Sequence, residues 1–270
     1  MAGVARVRDP AARFALERSD GIARITLVRP DGRNAIDPAW VAALGEAVDA
    51  CRAYGDLRAV LIAADGPAFT VGGDVDHFAG SLARLPDALQ EMIAPYHVAL
   101  AALAELPAPV VCAAHGGIGG GGLGLLWAAD VVLLADDAKL ATGFAGLGLA
   151  GDGGSSWYLP RLLGLRRATE LLLEGRVLSA AEALDWGLVN RVVAREALAG
   201  EAELTVARLA AGPTRAYSEV RRLLRGALDV DLRAGLDAEL RASVRCGETA
   251  DAREGMAAFA ARRAPRFTGG

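Results

Sequence analysis

The stretch His115–Asp130, HGGIGGGGLGLLWAAD, decides the fold, because four consecutive glycines, Gly119 to Gly122, precede an apolar segment. One interpretation is a dinucleotide site, since G-x-G-x-x-G follows the strand-like run PVVCAA and Asp136 lies about 20 residues on. A second is a set of packing glycines. A third is a helix start whose bare N–H groups bind a developing anion, because glycine admits a ligand closely and the helix amino end is electropositive.

The context of the run favours the third interpretation. A dinucleotide fingerprint follows the first strand and opens a helix that crosses the sheet. Here more than a hundred residues precede the glycines, and LGLLWAAD leads almost directly to the strand-like VVLLAD. A second glycine turn, Gly72-Gly73-Asp74 in PAFTVGGDVDHF, could offer another N–H group. We therefore expect two separate glycine turns to supply paired amide donors.

The composition indicates a globular protein. With 270 residues and 53% hydrophobic content, the chain can bury a core of one domain of roughly 200 residues plus an appendage. A net charge of −4 gives no electrostatic footprint for nucleic acid. The widely spaced Cys51, Cys112 and Cys246 suggest neither disulfides nor a metal site. No signal-peptide core and no run of ~18 apolar residues is found, so we expect a cytoplasmic protein without membrane partners.

Local patterns predict an α/β core followed by a helical tail. RFALERSDGIARITLVRP predicts a hairpin that turns at Asp20-Gly21, and Asp37-Pro38 predicts a helix start. AVLIAA predicts a buried strand, and the helix predicted between Asp87 and Leu106 is followed by a further strand at PVVCAA. Beyond VVLLAD the pattern is mostly helical, with a capping box at Ser179 and Glu182.

Several ordered motifs carry a family resemblance: RPDGRNAI, AFTVGGDV, HGGIGGGGLGLLWAADVVLLADDAKL, LPRLLG and EALDWGLVNRVV. They resemble the successive motifs of the enoyl-CoA hydratase/isomerase (crotonase) superfamily, from about Phe14 to Phe267. The resemblance implies a crotonase (ClpP-like) spiral ββα core in residues 1–200 and a C-terminal helical trimerisation region in residues 201–270. It also implies an acyl-CoA thioester substrate, a homotrimer or dimer of trimers, and no cofactor beyond the coenzyme A of the substrate.

The resemblance assigns the paired donors to Gly73 and Gly121, whose N–H groups would bind the thioester oxygen as it becomes an enolate. Each donor would lower the barrier by about 3 kcal/mol. The neighbours Gly72 and Gly120 are expected to bind the coenzyme A of the substrate. Arg262, in AAFAARRAPRF, matches a basic residue that reaches the coenzyme A phosphates, with an exposed helix-end arginine as the alternative.

The acid and base positions depart from the hydratase pattern. Family hydratases use two glutamates, and these positions fall on Gly124 and Phe144, neither of which titrates. Asp152, in GLGLAGDGGSSWYLPRLLG, matches the aspartate of isomerases that act on dienoyl-CoA and on ring-epoxide phenylacetyl-CoA. Its apolar neighbourhood could raise its pKa into the range of a general base, whereas the residues alone also fit an aspartate that accepts turn N–H bonds. The resemblance therefore favours double-bond or ring isomerisation.

Alternatives remain open. Chlorobenzoyl-CoA dehalogenase has its nucleophilic aspartate at Asp152 and its water-activating histidine at His97, which follows Tyr96 in PYHVALAAL. A histidine on an apolar helix stripe also fits simple packing. Tyr96, Phe144 and Gly124 are expected to line the substrate pocket in either case. A weak or altered hydratase and a non-catalytic acyl-CoA-binding paralogue are further alternatives.

Overall fold

A computed structural model describes residues 12–29, 31 and 33–270. Pro30 and Gly32 of the RPDGRNAI motif and the first eleven residues lie outside the described part. The large sheet has the order β1-β2-β3-β4-β6-β9, and a small sheet has the order β5-β7-β8. The strands are β1 Phe14–Ser19, β2 Ile22–Leu27, β3 Ala59–Ala64, β4 Val110–Ala114, β5 Gly117–Gly119, β6 Val131–Ala135, β7 Lys139–Ala141, β8 Val177–Ser179 and β9 Arg191–Val193.

The first hairpin is antiparallel, and the other neighbours in the large sheet are parallel. Parallel strands need crossover connections, and helices supply most of them. The helices are α1 Pro38–Arg52, α2 Val75–Ala79, α3 Leu85–Ala104, α4 Leu123–Ala128, α5 Ser155–Leu173, α6 Ala180–Asp185, α7 Leu198–Ala210, α8 Thr214–Gly226, α9 Leu232–Gly247 and α10 Ala250–Ala260.

Local sequence signals form these elements where predicted. Asp20 and Gly21 turn the first hairpin with φ of 53° and 73°, a left-handed pair that suits a two-residue loop. The Asp37 side chain accepts from the Trp40 N–H at 2.7 Å and caps α1. The Ser179–Glu182 capping box starts α6. These predictions are confirmed.

Alternating residues of the large sheet face two different cores. In β3, Val60 and Ile62 point into the cluster shared with α1, α3 and α4. Ala59 and Leu61 point to the opposite face, where α7 packs across the sheet. Both faces are covered, which explains why the central parallel strands β3, β4 and β6 are apolar throughout. The division between residues 200 and 201 stays a prediction.

The prediction of a mostly helical pattern after VVLLAD was incomplete. Three short strands, β7, β8 and β9, interrupt the helices. Each is three residues long and depends on pairing with partners distant in sequence, as in the match of Leu140 with Leu178. The small sheet pairs β5, at the start of the glycine-rich stretch, with β7, which precedes the segment that carries Asp152.

Candidate active site

The predicted first donor, Gly73, lies in a loop fixed by the backbone of Ile36. The Ile36 N–H donates to the Gly72 carbonyl at 2.8 Å, and the Asp74 N–H donates to the Ile36 carbonyl at 2.8 Å. This bridge uses the groups on either side of Gly73, so the Gly73 N–H faces the other way. No backbone acceptor is recorded for that N–H within the described residues. It is therefore available to a ligand.

Asp74 fixes the same loop from its far side. Its carboxylate accepts from the His77 N–H at 3.3 Å, which caps α2, and pairs with Arg29 at 2.9 Å. The Arg29 guanidinium also donates to the Ala35 carbonyl at 2.7 Å. These bonds help to hold the pKa of Asp74 below its ordinary value, against the opposing effect of burial. Asp74 thus positions the loop, as an Asx side chain at a helix start commonly does.

The predicted second donor, Gly121, lies in a 3-10 turn, Gly120–Gly122, which leads into the short helix α4. The first N–H groups of a helical turn have no partner inside it. Because α4 has only six residues and follows the fifth strand of the chain, it does not fit the long crossover helix of a dinucleotide site. The structure therefore agrees with an electropositive helix start.

The two glycine loops are in direct contact. The Gly119 N–H donates to the Thr70 carbonyl at 2.9 Å, and the Thr70 N–H donates to the Gly117 carbonyl at 3.2 Å. Gly72 has a φ of 86°, and a Cβ at this position would lie 2.7 Å from the Gly119 carbonyl oxygen. The backbones can approach this closely only because both residues are glycines. We call this contact the glycine seam.

Asp152 lies against the second donor residue. A Cβ on Gly121 would lie 3.1 Å and 3.2 Å from the two carboxylate oxygens of Asp152. The side chain is only 19% exposed, and its Oδ1 lies 3.4 Å from the His97 Nε2. That distance is too long for a well-formed hydrogen bond, and within the described part Oδ1 has no other hydrogen-bond partner. Gly121, Asp152 and His97 thus form one group.

Burial raises the pKa of Asp152 above its ordinary value. The His97 imidazole and the Gly153 N–H act in the opposite direction without cancelling the effect of burial. The neighbouring Tyr96 is fully buried, and its hydroxyl donates to the Gly121 carbonyl at 2.6 Å. A buried carboxyl with a raised pKa beside free amide donors is an arrangement that functional sites often contain.

The raised pKa of Asp152 predicts an effect on stability. Between the unfolded pKa of about 3.9 and the higher folded value, the folded chain binds more protons than the unfolded chain. The stability from protonated Asp152 is therefore present at acid pH and lost as the pH rises through the folded pKa. We expect Asp152→Asn to melt a few degrees above the wild type at pH 7, because the amide cannot ionise. Calorimetry at falling pH should show this difference closing below about pH 4, and a wild type that is the more stable at pH 7 would contradict the assignment.

Gly124, the first hydratase position, lies in a closed notch. A Cβ there would lie 2.7 Å from both the Gly153 carbonyl oxygen and the Leu100 Cδ1, and 3.0 Å from the Tyr96 hydroxyl. A glutamate therefore has no room at this position. Phe144, the second hydratase position, is buried, and its ring lies beside Gly120. Both predicted pocket positions lie near the group formed by Gly121, Asp152 and His97, and neither supplies an acid.

Two further residues, His115 and the predicted Arg262, lie apart from this group. His115 is buried and bonds to the Gly66 carbonyl through Nε2 at 3.0 Å, and burial lowers its pKa. Arg262 follows α10, is exposed and has a φ of 52°. Within the described part of one chain, no recorded contact joins Arg262 to the candidate site. The prediction that it reaches coenzyme A is therefore left open.

A cavity of about 600 Å³ opens beside His97 and Gly153. It runs between α3, the start of α5 and α8. Its lining includes Trp157 and three arginines of α8, Arg221, Arg222 and Arg225. These arginines were not predicted as site residues; their clustering on α8 is visible in the sequence, but their position at the cavity is not.

Two features are absent from the described residues. In residues 12–29, 31 and 33–270, no group of three or more histidine, cysteine, aspartate or glutamate side chains is arranged to hold a metal ion. Among the helices of the same residues, none combines the length and the apolar character that crossing a membrane requires.

Known proteins resemble the chain over most of its length. The family model described as enoyl-CoA hydratase/isomerase matches residues 17–270. The chain is 35% identical to the 1,2-epoxyphenylacetyl-CoA isomerase of Escherichia coli (strain K12) over 250 residues, which cover 92% of this chain and 95% of the relative. It is 32% identical to 4-chlorobenzoyl coenzyme A dehalogenase-2 of Arthrobacter sp over 202 residues, which cover 74% of this chain and 73% of the relative.

A solved structure matches the architecture as well. The crystal structure of an enoyl-CoA hydratase from Polaromonas sp. JS666 superposes with a TM-score of 0.89 and 30% identity, covering 94% of this chain and 99% of that chain. The predicted crotonase fold is thereby confirmed. With its two free amides, a buried aspartate and this likeness over nearly its whole length, the chain belongs to the enoyl-CoA hydratase/isomerase family of acyl-CoA enzymes.

Proposed function

We propose that the protein isomerises an unsaturated or ring-containing acyl-CoA thioester, with Asp152 as the proton shuttle. The observation that carries this proposal is the contact of the Asp152 carboxylate with Gly121, where a Cβ would lie 3.1 Å from the nearer oxygen. One base next to one oxyanion donor is sufficient for isomerisation, because the same carboxylate can remove and return a proton. Likeness to an epoxyphenylacetyl-CoA isomerase supports the same reaction class.

In the proposed mechanism, the thioester oxygen accepts hydrogen bonds from the N–H groups of Gly73 and Gly121. Ionised Asp152 then removes a proton from one carbon of the acyl group, and the electron pair of that C–H bond moves into the dienolate. The two amides stabilise the negative charge on oxygen. Protonated Asp152 returns the proton to another carbon, which restores the carbonyl and leaves the double bond displaced. No group is gained or lost.

Dehalogenation is the second candidate, because His97 lies 3.4 Å from Asp152. In that reaction the Asp152 carboxylate attacks a ring carbon and halide leaves. His97 then takes a proton from the water that hydrolyses the aryl ester. Likeness to a chlorobenzoyl-CoA dehalogenase supports this alternative. The isomerase proposal requires no nucleophilic attack by Asp152, and His97 serves there only as a neighbour that tunes the carboxyl.

Hydration with two glutamates is disfavoured by the packing of the notch. The Gly124 position is closed by Gly153, Leu100 and Tyr96, and Phe144 supplies no acid. A non-catalytic acyl-CoA-binding protein is disfavoured by the raised pKa of Asp152, since binding alone does not require a buried carboxyl at the donor turn. Neither the hydratase nor the non-catalytic alternative explains why the Asp152 carboxylate lies against Gly121.

We further propose that the protein acts in the cytoplasm as a homotrimer or a dimer of trimers, with no cofactor beyond the coenzyme A of its substrate. Large apolar side chains are exposed along α9, at Leu232, Leu236, Leu240 and Val244. They recur at helical spacing on one face, which another copy of the chain could cover. The mass in solution distinguishes these assemblies from a monomer.

Incubation of the wild-type protein with straight-chain, dienoyl and aromatic CoA thioesters in deuterated water tests the reaction class. We expect one subset to gain deuterium and change double-bond position without net addition of water. Mass spectrometry of the products measures both. Release of chloride from a halobenzoyl thioester would instead support the dehalogenase, net addition of water would support a hydratase, and binding without exchange or turnover would support the non-catalytic alternative.

A further inference from the structure

The far end of the cavity beside His97 is built from cationic side chains. Along α3 its lining follows His97, Leu100, Ala101 and Ala104, which recur at helical spacing and form one face. His97 and Ala104 lie two turns apart, so the cavity extends roughly 10 Å along the helix from the end near Asp152. Trp157 and Gly154 form an apolar wall on the side of α5. The passage therefore leads from the candidate site to α8.

On α8, two arginines share one carboxylate. The Arg221 Nε donates to Asp130 at 2.6 Å, and its other nitrogens donate to the carbonyls of Leu106 and Ala104. Arg225 reaches Asp130 at 3.3 Å through Nη2. Its Nε and Nη1 have no acceptor recorded in the described part, and its side chain is 26% exposed. Asp130 neutralises one of these two charges, so Arg225 keeps unused donors beside the cavity.

A second pair repeats this pattern one turn away. Glu219 accepts two bonds from Arg245 of α9, at 2.7 Å and 2.8 Å. Arg222 donates to the same carboxylate through Nε and Nη2, at 3.1 Å and 2.8 Å. The Arg222 Nη1 has no recorded acceptor among the described residues. Two guanidinium groups again face one carboxylate, and Arg222 is the member that lines the cavity.

The charges at this end therefore do not balance. Each arginine pair carries one positive charge in excess of its carboxylate. The two pairs together thus have two positive charges in excess. Glu105, an exposed acidic residue that also lines the cavity, offsets one of them, so one positive charge remains. Ser218 adds a neutral donor to the same wall. A purely hydrocarbon acyl end has no hydrogen-bond acceptor for these donors, whereas a carboxylate would accept hydrogen bonds from them.

We propose that the cavity selects acyl-CoA substrates whose acyl group ends in a carboxylate, bound by Arg222 and Arg225. This inference rests on the proposed function for the orientation of the substrate, with its thioester at Gly73 and Gly121. The carboxylate would then lie roughly 10 Å beyond Asp152, at the α8 end of the cavity. The substrate class is thus a monothioester of a dicarboxylic acid.

The test compares saturated CoA thioesters that end in a carboxylate with the terminal amides of the same length. Saturated chains have no double bond to move, so calorimetric dissociation constants report recognition without isomerisation. We expect wild-type protein to bind the carboxylate about tenfold more tightly at the chain length that spans the cavity. The preference should fall with added salt, because part of the site is exposed to solvent.

Variants assign this preference to residues. Arg222→Gln and Arg225→Gln should each reduce the ratio of the two dissociation constants several-fold, and Arg222→Lys should retain part of it. Arg52→Gln, at an exposed position at the end of α1, is the matched control and should leave the ratio unchanged. Equal binding of acid and amide by wild-type protein would overturn the proposal, as would a ratio that both glutamine variants preserve. A retained preference in a protein that exchanges no deuterium with any unsaturated thioester would overturn the proposed isomerisation and leave this inference standing.

Discussion

Asp152→Asn is expected to reduce isomerisation and deuterium exchange by about two to four orders of magnitude, the contribution of a positioned general base. Asparagine has nearly the shape of aspartate, so the contact with Gly121 and the pocket should persist. The affinity for the thioester should therefore change little while kcat falls. Mass spectrometry of samples quenched at successive times measures turnover, and calorimetry measures binding of the thioester. Full turnover by the variant would eliminate Asp152 as the base.

Two further variants make this experiment specific. Asp185→Asn removes an exposed carboxylate at the end of α6 and should leave kcat unchanged. His97→Gln removes the largest influence that lowers the pKa of Asp152, so the acid limb of the pH–rate profile should move to higher pH. If the His97→Gln variant keeps its isomerase activity at pH values above that limb, the result supports Asp152 as the base and His97 as a neighbour that tunes its pKa. Loss of activity at every pH would instead favour the chemistry in which His97 activates water.

Gly72→Ala is expected to lower kcat by about two orders of magnitude, the usual effect of removing one oxyanion donor. The new Cβ would lie 2.7 Å from the Gly119 carbonyl oxygen and 3.0 Å from its carbon, so the glycine seam must open. Gly119 cannot yield easily, because its N–H is bonded to Thr70. Under the proposed mechanism, the N–H groups of Gly73 and Gly121 would then no longer bind the thioester oxygen together.

Gly187→Ala provides the matched control for this change. Gly187 has a φ of 79°, close to the 86° of Gly72, but its Cβ would meet nothing within 4 Å. Both substitutions add left-handed strain of about 1 to 2 kcal/mol, which thermal unfolding measures. Only Gly72→Ala should also lose activity. Equal activity of the two variants would show that the seam does not hold the donors in place.

The parts of the fold that the sequence predicted are those with a local cause. The hairpin turn at Asp20-Gly21, the cap at Asp37 and the capping box at Ser179 each follow from a few adjacent residues. The strands β7, β8 and β9 were missed, because three residues carry no periodicity. Their formation depends on partners such as Leu178 for Leu140, which only the folded chain brings together.

The candidate site divides in the same way. The resemblance identified Gly73, Gly121 and Asp152 as positions, because their motifs are short and ordered. It could not predict that Asp152 lies against Gly121, or that the Gly124 notch is closed by Tyr96 and Leu100, because these contacts join separate elements. The arginines of α8 were missed for the same reason. Their charges can act on a ligand in the cavity only because the fold places α8 across its end.

The contact between Asp152 and Gly121 has a stereochemical consequence. A dienolate is planar, and its oxygen is fixed when both amides bind it. A carboxylate held over the α-carbon of Gly121 can then reach only one side of that plane. Under the proposed mechanism, removal and return of the proton are therefore suprafacial, and in deuterated water the label should enter only one face of the carbon that becomes sp³.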